Sequence, residues 1–139
     1  MTEVNYVRQN PYYTADHEWI DFQGSVAYTG VCSFKLTGFR EVEEFRCASP
    51  SVFFLQNEVI AHIKYRDFLI QAHMPVDGKL ILINEKLLTR ERNILVSEPE
   101  NNGWIALIAP ALLFNRTGLI TQEQYQENKD SNTQNNGTA

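Results

Sequence analysis

Four consecutive residues, Lys64, Tyr65, Arg66 and Asp67, interrupt an apolar stretch and offer an amine, a phenol, a guanidinium and a carboxylate within a single turn. The mixed charges can dock an anionic partner or simply solvate the turn. His62 and His73 stand on the two sides of this run. Together with Asp67 they would offer donor types suited to a transition metal, whose site needs at least three converging groups. Their spacing does not fix that convergence, and exposed strand histidines are the commoner case. A small metal- or ligand-binding β-sandwich using His62 and His73 is the most distant alternative.

Other reactive residues carry less. His17-Glu18 could serve acid–base chemistry or bind a metal. Cys32 and Cys47 are too few for a disulfide framework and stand in no CxxC pair or zinc-ligand spacing, so both are read as buried thiols packing as small hydrophobes. Arg90-Glu91-Arg92 is read as a solvated turn. There is no Gly-rich phosphate loop, nucleophile elbow or HExxH helix, which argues against an enzyme in its own right.

These residues need a scaffold, and the composition allows one. The 139 residues suit a single domain, and 43% are apolar, including eight Phe, six Tyr and two Trp. The net charge of −5, with twelve basic residues scattered among seventeen acidic ones, argues against nucleic acid. No stretch approaches the roughly 20 uninterrupted apolar residues of a membrane span. The opening MTEVNYVRQN has neither the basic start nor the apolar stretch of a signal peptide, so a cytoplasmic location is expected.

Short strands dominate the pattern. Trp19 to Val31, broken at Gln23-Gly24-Ser25, reads as a hairpin. Phe34 to Gly38 reads as a helical turn that Gly38 closes. Val42–Phe45 and Val52–Leu55 are expected strands around the breaker Ser49-Pro50-Ser51, and Val59–Ile63 with Phe68–His73 make a hairpin around Lys64 to Asp67. Lys79 to Ile83 is strongly β-prone, Asn84 can cap the turn that follows, and Trp104 to Ala109 is a last strand. Thr121 with Gln124 three residues on predicts a capped, short amphipathic segment through Tyr125. The expected domain runs from residue 13 to 125, between a polar lead-in, 1–12, and a polar tail, 126–139, left disordered. The fold class is mainly β: an antiparallel β-sandwich or flattened barrel with a short C-terminal helix.

Three stretches, in order, resemble the glycine cleavage system H protein family. The first is Tyr13-Thr14-x-x-His17-Glu18-Trp19 with Gly24, Ala27, Gly30 and Val31. The second is Pro75-Val76-Asp77-Gly78-Lys79-Leu80 leading to Asn84-Glu85-Lys86-Leu87-Leu88, and the third is Glu98-Pro99 through Gly103-Trp104-Ile105. The resemblance implies the lipoyl-domain type of sandwich (a single hybrid motif), in which His17-Glu18 belong to the fold beside Trp19. It also implies a lysine at a hairpin tip carrying lipoic acid, which shuttles an aminomethyl group between partner enzymes. In such a carrier the attached group supplies the chemistry.

The hairpin departs from that pattern. The family's lysine stands eight residues before the proline of its Pro-Val-Ser-Gly strand; eight before Pro75 is Asp67, and the family's Glu slot falls on Lys64. A carboxylate has no amine with which to form the lipoyl amide. A three-residue insertion would make Lys64 the alternative lipoyl site, but no acidic residue precedes it closely. The segments Thr37 to Glu41 and Ala48 to Ser51 also depart from the family, which bears on partner docking. The expectation is a non-lipoylated, non-catalytic binding or regulatory module with no cofactor, whose docking patch is Lys64, Tyr65, Arg66 and Asp67. Its partners would be proteins, among them glycine cleavage components or lipoate-handling enzymes. The alternative is a lipoylated aminomethyl carrier with lipoic acid on Lys64.

Overall fold

The computed structural model describes residues 6–137, with side chains through Lys129. Strands β1 (Pro11–Tyr13), β2 (Glu18–Gln23) and β3 (Val26–Val31) come first, followed by a 3-10 turn, Ser33–Leu36. Next are β4 (Glu44–Cys47), β5 (Phe53–Phe54), β6 (Val59–Tyr65), β7 (Phe68–His73) and β8 (Gly78–Ile83). A second 3-10 turn, Glu85–Leu88, leads to the helical turn α1 (Ile94–Ser97), and β9 (Ala106–Pro110), β10 (Ile120–Thr121) and helix α2 (Gln122–Gly137) complete the chain. A seven-stranded sheet in the order β10-β1-β2-β3-β9-β8-β5 faces a three-stranded sheet in the order β4-β6-β7, and every pairing is antiparallel. The fold is therefore the expected mainly-β sandwich with a C-terminal helix.

Alternation builds the space between the sheets. Ile60, Ile63, Ala72, Met74, Val76, Leu80 and Ile108 are all buried there, each within the main core. Fully burying a side chain of this size stabilises the fold by roughly 1.5–3 kcal/mol. A second, aromatic cluster of Tyr13, Trp19, Cys32 and Tyr125 lies apart from it, joined by Tyr6, Tyr28 and Trp104. The three sequence stretches meet beside this cluster. Trp19 Nε1 donates to the carbonyl of Pro99 at 3.0 Å, and Asn84 Nδ2 donates to the carbonyls of Asn102 and Trp104, each at 2.9 Å. Gly30 pairs with Trp19 across β2 and β3, and a Cβ on it would stand 3.0 Å from the indole. The glycine leaves room for the ring to pack closely against its backbone.

Several local expectations hold. The β2–β3 hairpin turns at Gly24 with φ +69°, and Gly38 follows the first 3-10 turn at φ +94°. Asn84 accepts from the Lys86 N–H. Thr121 and Gln124 form a reciprocal capping box, with the Thr121 N–H donating to Gln124 Oε1 at 2.9 Å and the Gln124 N–H to Thr121 Oγ1 at 3.2 Å.

Other expectations change. The strand expected at Val42–Phe45 forms two residues later, and that at Val52–Leu55 shortens to Phe53–Phe54, beside the turn at Ser51 with φ +71°. Within the lead-in, residues 6–12 pack on the sandwich, because the buried carboxylate of Asp21 needs donors: it accepts the Gln9 N–H at 3.1 Å and the Tyr6 hydroxyl. Helix α2 continues past Tyr125 to Gly137, where a disordered tail was expected; the capping box starts it, and its Gln, Glu and Lys residues favour helix. Residues 1–5 of the lead-in and 138–139 of the tail lie outside the described residues. Cys32 is buried as expected, whereas Cys47 on the edge strand β4 is only half-buried. No helix among the described residues is long and apolar enough to cross a membrane.

Candidate functional site

The β6–β7 hairpin presents the charged run. Tyr65 pairs with Phe68, so the turn itself consists of Arg66 and Asp67, both exposed. Arg66 has φ +53°, a conformation that non-glycine residues adopt infrequently. Two contacts hold it there. Its N–H donates to the carboxylate of Glu43, and its guanidinium lies 5.3 Å from the centre of the Tyr65 ring. Tyr65 is itself buried against Phe39, which also packs on Phe68. The tip is therefore anchored through its aromatic flanks while its charges remain in solvent.

Lys64 lies within β6, where it pairs with Leu69 of β7 and Glu44 of β4. It is exposed on the outer face of the three-stranded sheet, beside a shallow depression of about 300 Å³ lined by Glu44, Arg46, His62, Lys64 and Leu69. No lysine stands at the apex. The guanidinium of Arg66 and the carboxylate of Asp67 are not groups that form an amide with lipoic acid, so the turn does not fit that group.

His62 and His73 do not face each other. His62 pairs with Gln71, and His73 pairs with Val59 beyond a register shift between Val59 and Ala61. His73 instead reaches the other sheet, where Nδ1 lies 2.8 Å from Glu18 Oε2 and 3.1 Å from Asp16 Oδ2. The set assembled by the fold is therefore Asp16, Glu18 and His73, whose donor atoms all lie within 4.8 Å of one another. Lys35 already fills the cationic position among them, with Nζ 2.6 Å from Asp16 and 2.7 Å from Glu18. The Glu18 carboxylate is almost fully buried. Burial raises its pKa, and the Lys35 ammonium and His73 counter that shift. The arrangement is an ionic clamp between the two sheets, buried at Glu18 and Lys35 and open to solvent at Asp16, which the separation of its members along the chain had concealed.

His17 has a separate partner, the Tyr125 hydroxyl, 2.7 Å from its Nδ1, and its ring packs at a tilt against Phe34. Burial lowers its pKa. The reading of His17-Glu18 as structural residues agrees with these contacts. Cys32 is equally enclosed, and burial pushes its thiol up to about 12, far from a reactive thiolate.

Comparison with known proteins gives a consistent picture. A family model described as "Glycine cleavage H-protein" matches residues 11–132. A glycine cleavage system H protein of Halothermothrix orenii is 28% identical over 119 residues, covering 86% of this chain and 92% of that protein. The corresponding protein of Thermotoga maritima is 26% identical over 115 residues, covering 83% and 92%. In fold, the chain is similar to the crystal structure of a glycine cleavage system H protein from Mycobacterium marinum, with a TM-score of 0.75 at 17% identity, over 89% of this chain and 99% of that one.

Proposed function

Because the chain belongs to the glycine cleavage H-protein family, we propose that it keeps the family's frame without its lipoylated lysine and works as a non-catalytic binding or regulatory module. One observation carries this reading. The apex of the β6–β7 hairpin consists of Arg66 and Asp67, while Lys64 is held within a ladder with strands on both sides. A carrier lysine must project from a tip to swing an arm between active sites, and a residue in the middle strand of a sheet does not. The exposed patch of Lys64, Arg66 and Asp67, backed by the buried Tyr65, offers charges of both signs to a protein partner. Glycine cleavage components and lipoate-handling enzymes, the partners of the family, are the ones to test first.

A carrier role through Lys64 has one observation in its favour: the side chain is exposed on an open face. Intact mass after co-expression with a lipoate ligase separates the two readings. Unmodified protein is expected. A gain of one lipoyl group that disappears in Lys64→Ala would overturn the non-carrier reading in favour of the second.

A further inference from the structure

Three aromatic rings converge on one arginine at the β1–β2 end of the large sheet. Tyr12 of β1 pairs with Ile20 of β2, so Phe22, two residues further on, lies diagonally from Tyr12 on the same face. The two rings meet edge to face, their centres 5.8 Å apart at 73°. The loop between β9 and β10 adds Phe114, whose ring stacks on Phe22 at 5.5 Å and 15°. All three rings pack against the main core. Two residues beyond Phe114, the Arg116 guanidinium carbon lies 5.5 Å from the centre of the Tyr12 ring, 5.0 Å from Phe22 and 5.3 Å from Phe114. Each distance is within the roughly 6 Å over which a ring face attracts a cation.

The occupant suits this cage imperfectly. A guanidinium is shaped to donate in a planar fork to a carboxylate. Among the described residues the Arg116 side chain has no hydrogen bond or ion pair, so its N–H donors meet no acceptor of the protein. A quaternary ammonium group has no N–H to satisfy and presents charged methyl groups to ring faces, which is the chemistry that aromatic cages recognise. Arg116 is also free to leave. It is exposed, and the hydrogen bonds around it are local to the loop: the Thr117 N–H donates to Asn115 Oδ1 at 2.9 Å and the Leu119 N–H to the Arg116 carbonyl at 3.0 Å. Rotation about its side-chain bonds withdraws the guanidinium and breaks neither.

We propose that Tyr12, Phe22 and Phe114 form a binding site for a quaternary ammonium group, with Arg116 as its built-in competitor. The ligand displaces the guanidinium from the rings and keeps their cation–π attraction without stranding any donor. Tethering gives Arg116 a high effective concentration, so the wild-type chain should bind such a ligand weakly, in roughly the millimolar range. The rings belong to the large sheet and the charged hairpin to the small one, so this site stands or falls separately from the function proposed above.

The test is an amide NMR titration of the full chain with choline chloride up to about 50 mM at constant ionic strength, well above the expected dissociation constant. The control ligand is the uncharged analogue of choline in which a carbon atom replaces the nitrogen. Choline should shift the signals of Tyr12, Phe22 and Phe114, and the analogue should not. Arg116→Ala should bind choline at least about tenfold more tightly, and Phe22→Leu added to it should cancel that gain. No binding by the wild-type chain overturns the proposal, as does equal binding of the analogue or an affinity that Arg116→Ala leaves unchanged. If circular dichroism shows that the Phe22→Leu variant has unfolded, the comparison of choline with its analogue on Arg116→Ala decides. A trimethyllysine peptide in the same titration distinguishes the sources of the group. Binding at least about tenfold tighter than choline assigns it to a modified side chain of a protein, and weaker binding to a free small molecule; both support the site.

Discussion

Glu18 of the large sheet accepts two hydrogen bonds from His73 of the small one, from the backbone N–H at 3.0 Å and from Nδ1 at 2.8 Å. The base of the β6–β7 hairpin is thereby tied across the sandwich, and Lys35 supplies the neutralising charge at 2.7 Å. Each consequence below can be measured.

Removing the ammonium leaves the Glu18 carboxylate buried without its counter-ion. Lys35→Met should destabilise the protein by about 3 kcal/mol, the lower part of the range for breaking a buried pair, because Glu18 can take up a proton. The double variant with Glu18→Gln should recover part of this loss. Urea denaturation of the three variants checks both statements, and equal stability of Lys35→Met and wild type would contradict the clamp.

His17 links stability to pH. Its folded pKa is below the ordinary 6.5 because burial disfavours the imidazolium. Its contribution is therefore complete above pH 6.5 and is lost as pH falls through the folded value, since the unfolded chain binds the proton first. A wild-type melting temperature that drops below pH 6.5 more steeply than that of His17→Gln is the expected result.

Gly30→Ala should be costly although the backbone there is ordinary. The added methyl would stand 3.0 Å from the Trp19 ring, which is fully buried and hydrogen-bonded to Pro99. Overpacking of this kind costs about 1–3 kcal/mol. Reduced thermal stability, with an altered near-UV signal from the indole, checks it.

Thr121→Ala removes the acceptor of the capping box at the start of α2. A loss of about 1 kcal/mol is expected. Faster amide exchange confined to the first turn of the helix would show it, with the strands unaffected.

Local chemistry was legible in the sequence, and long-range chemistry was not. The Gly24 turn, the Asn84 cap and the Thr121–Gln124 box each depend on residues within three positions of one another, so their residue types announced them. The three motif stretches identified the scaffold, since the contacts from Trp19 to Pro99 and from Asn84 to Trp104 restrict what can stand there. The clamp was missed because Glu18 and His73 lie 55 positions apart and belong to different sheets. His73 looked like a partner for His62 only because both flank one turn, and the register shift at Val59/Ala61 is invisible in the sequence. The packed lead-in was missed for a similar reason: its order comes from Asp21, a buried carboxylate that a polar N-terminus alone does not reveal.

The hydrogen bond from Arg66 to Glu43, with Tyr65 and Phe68 both resting on Phe39, gives the hairpin tip a fixed bearing relative to the body of the domain. A partner that reads this tip meets a backbone already in position, and recognition forfeits little conformational freedom in ordering it. In the non-carrier role proposed above, specificity would then rest on the geometry of a fixed turn, in place of the reach of a flexible arm.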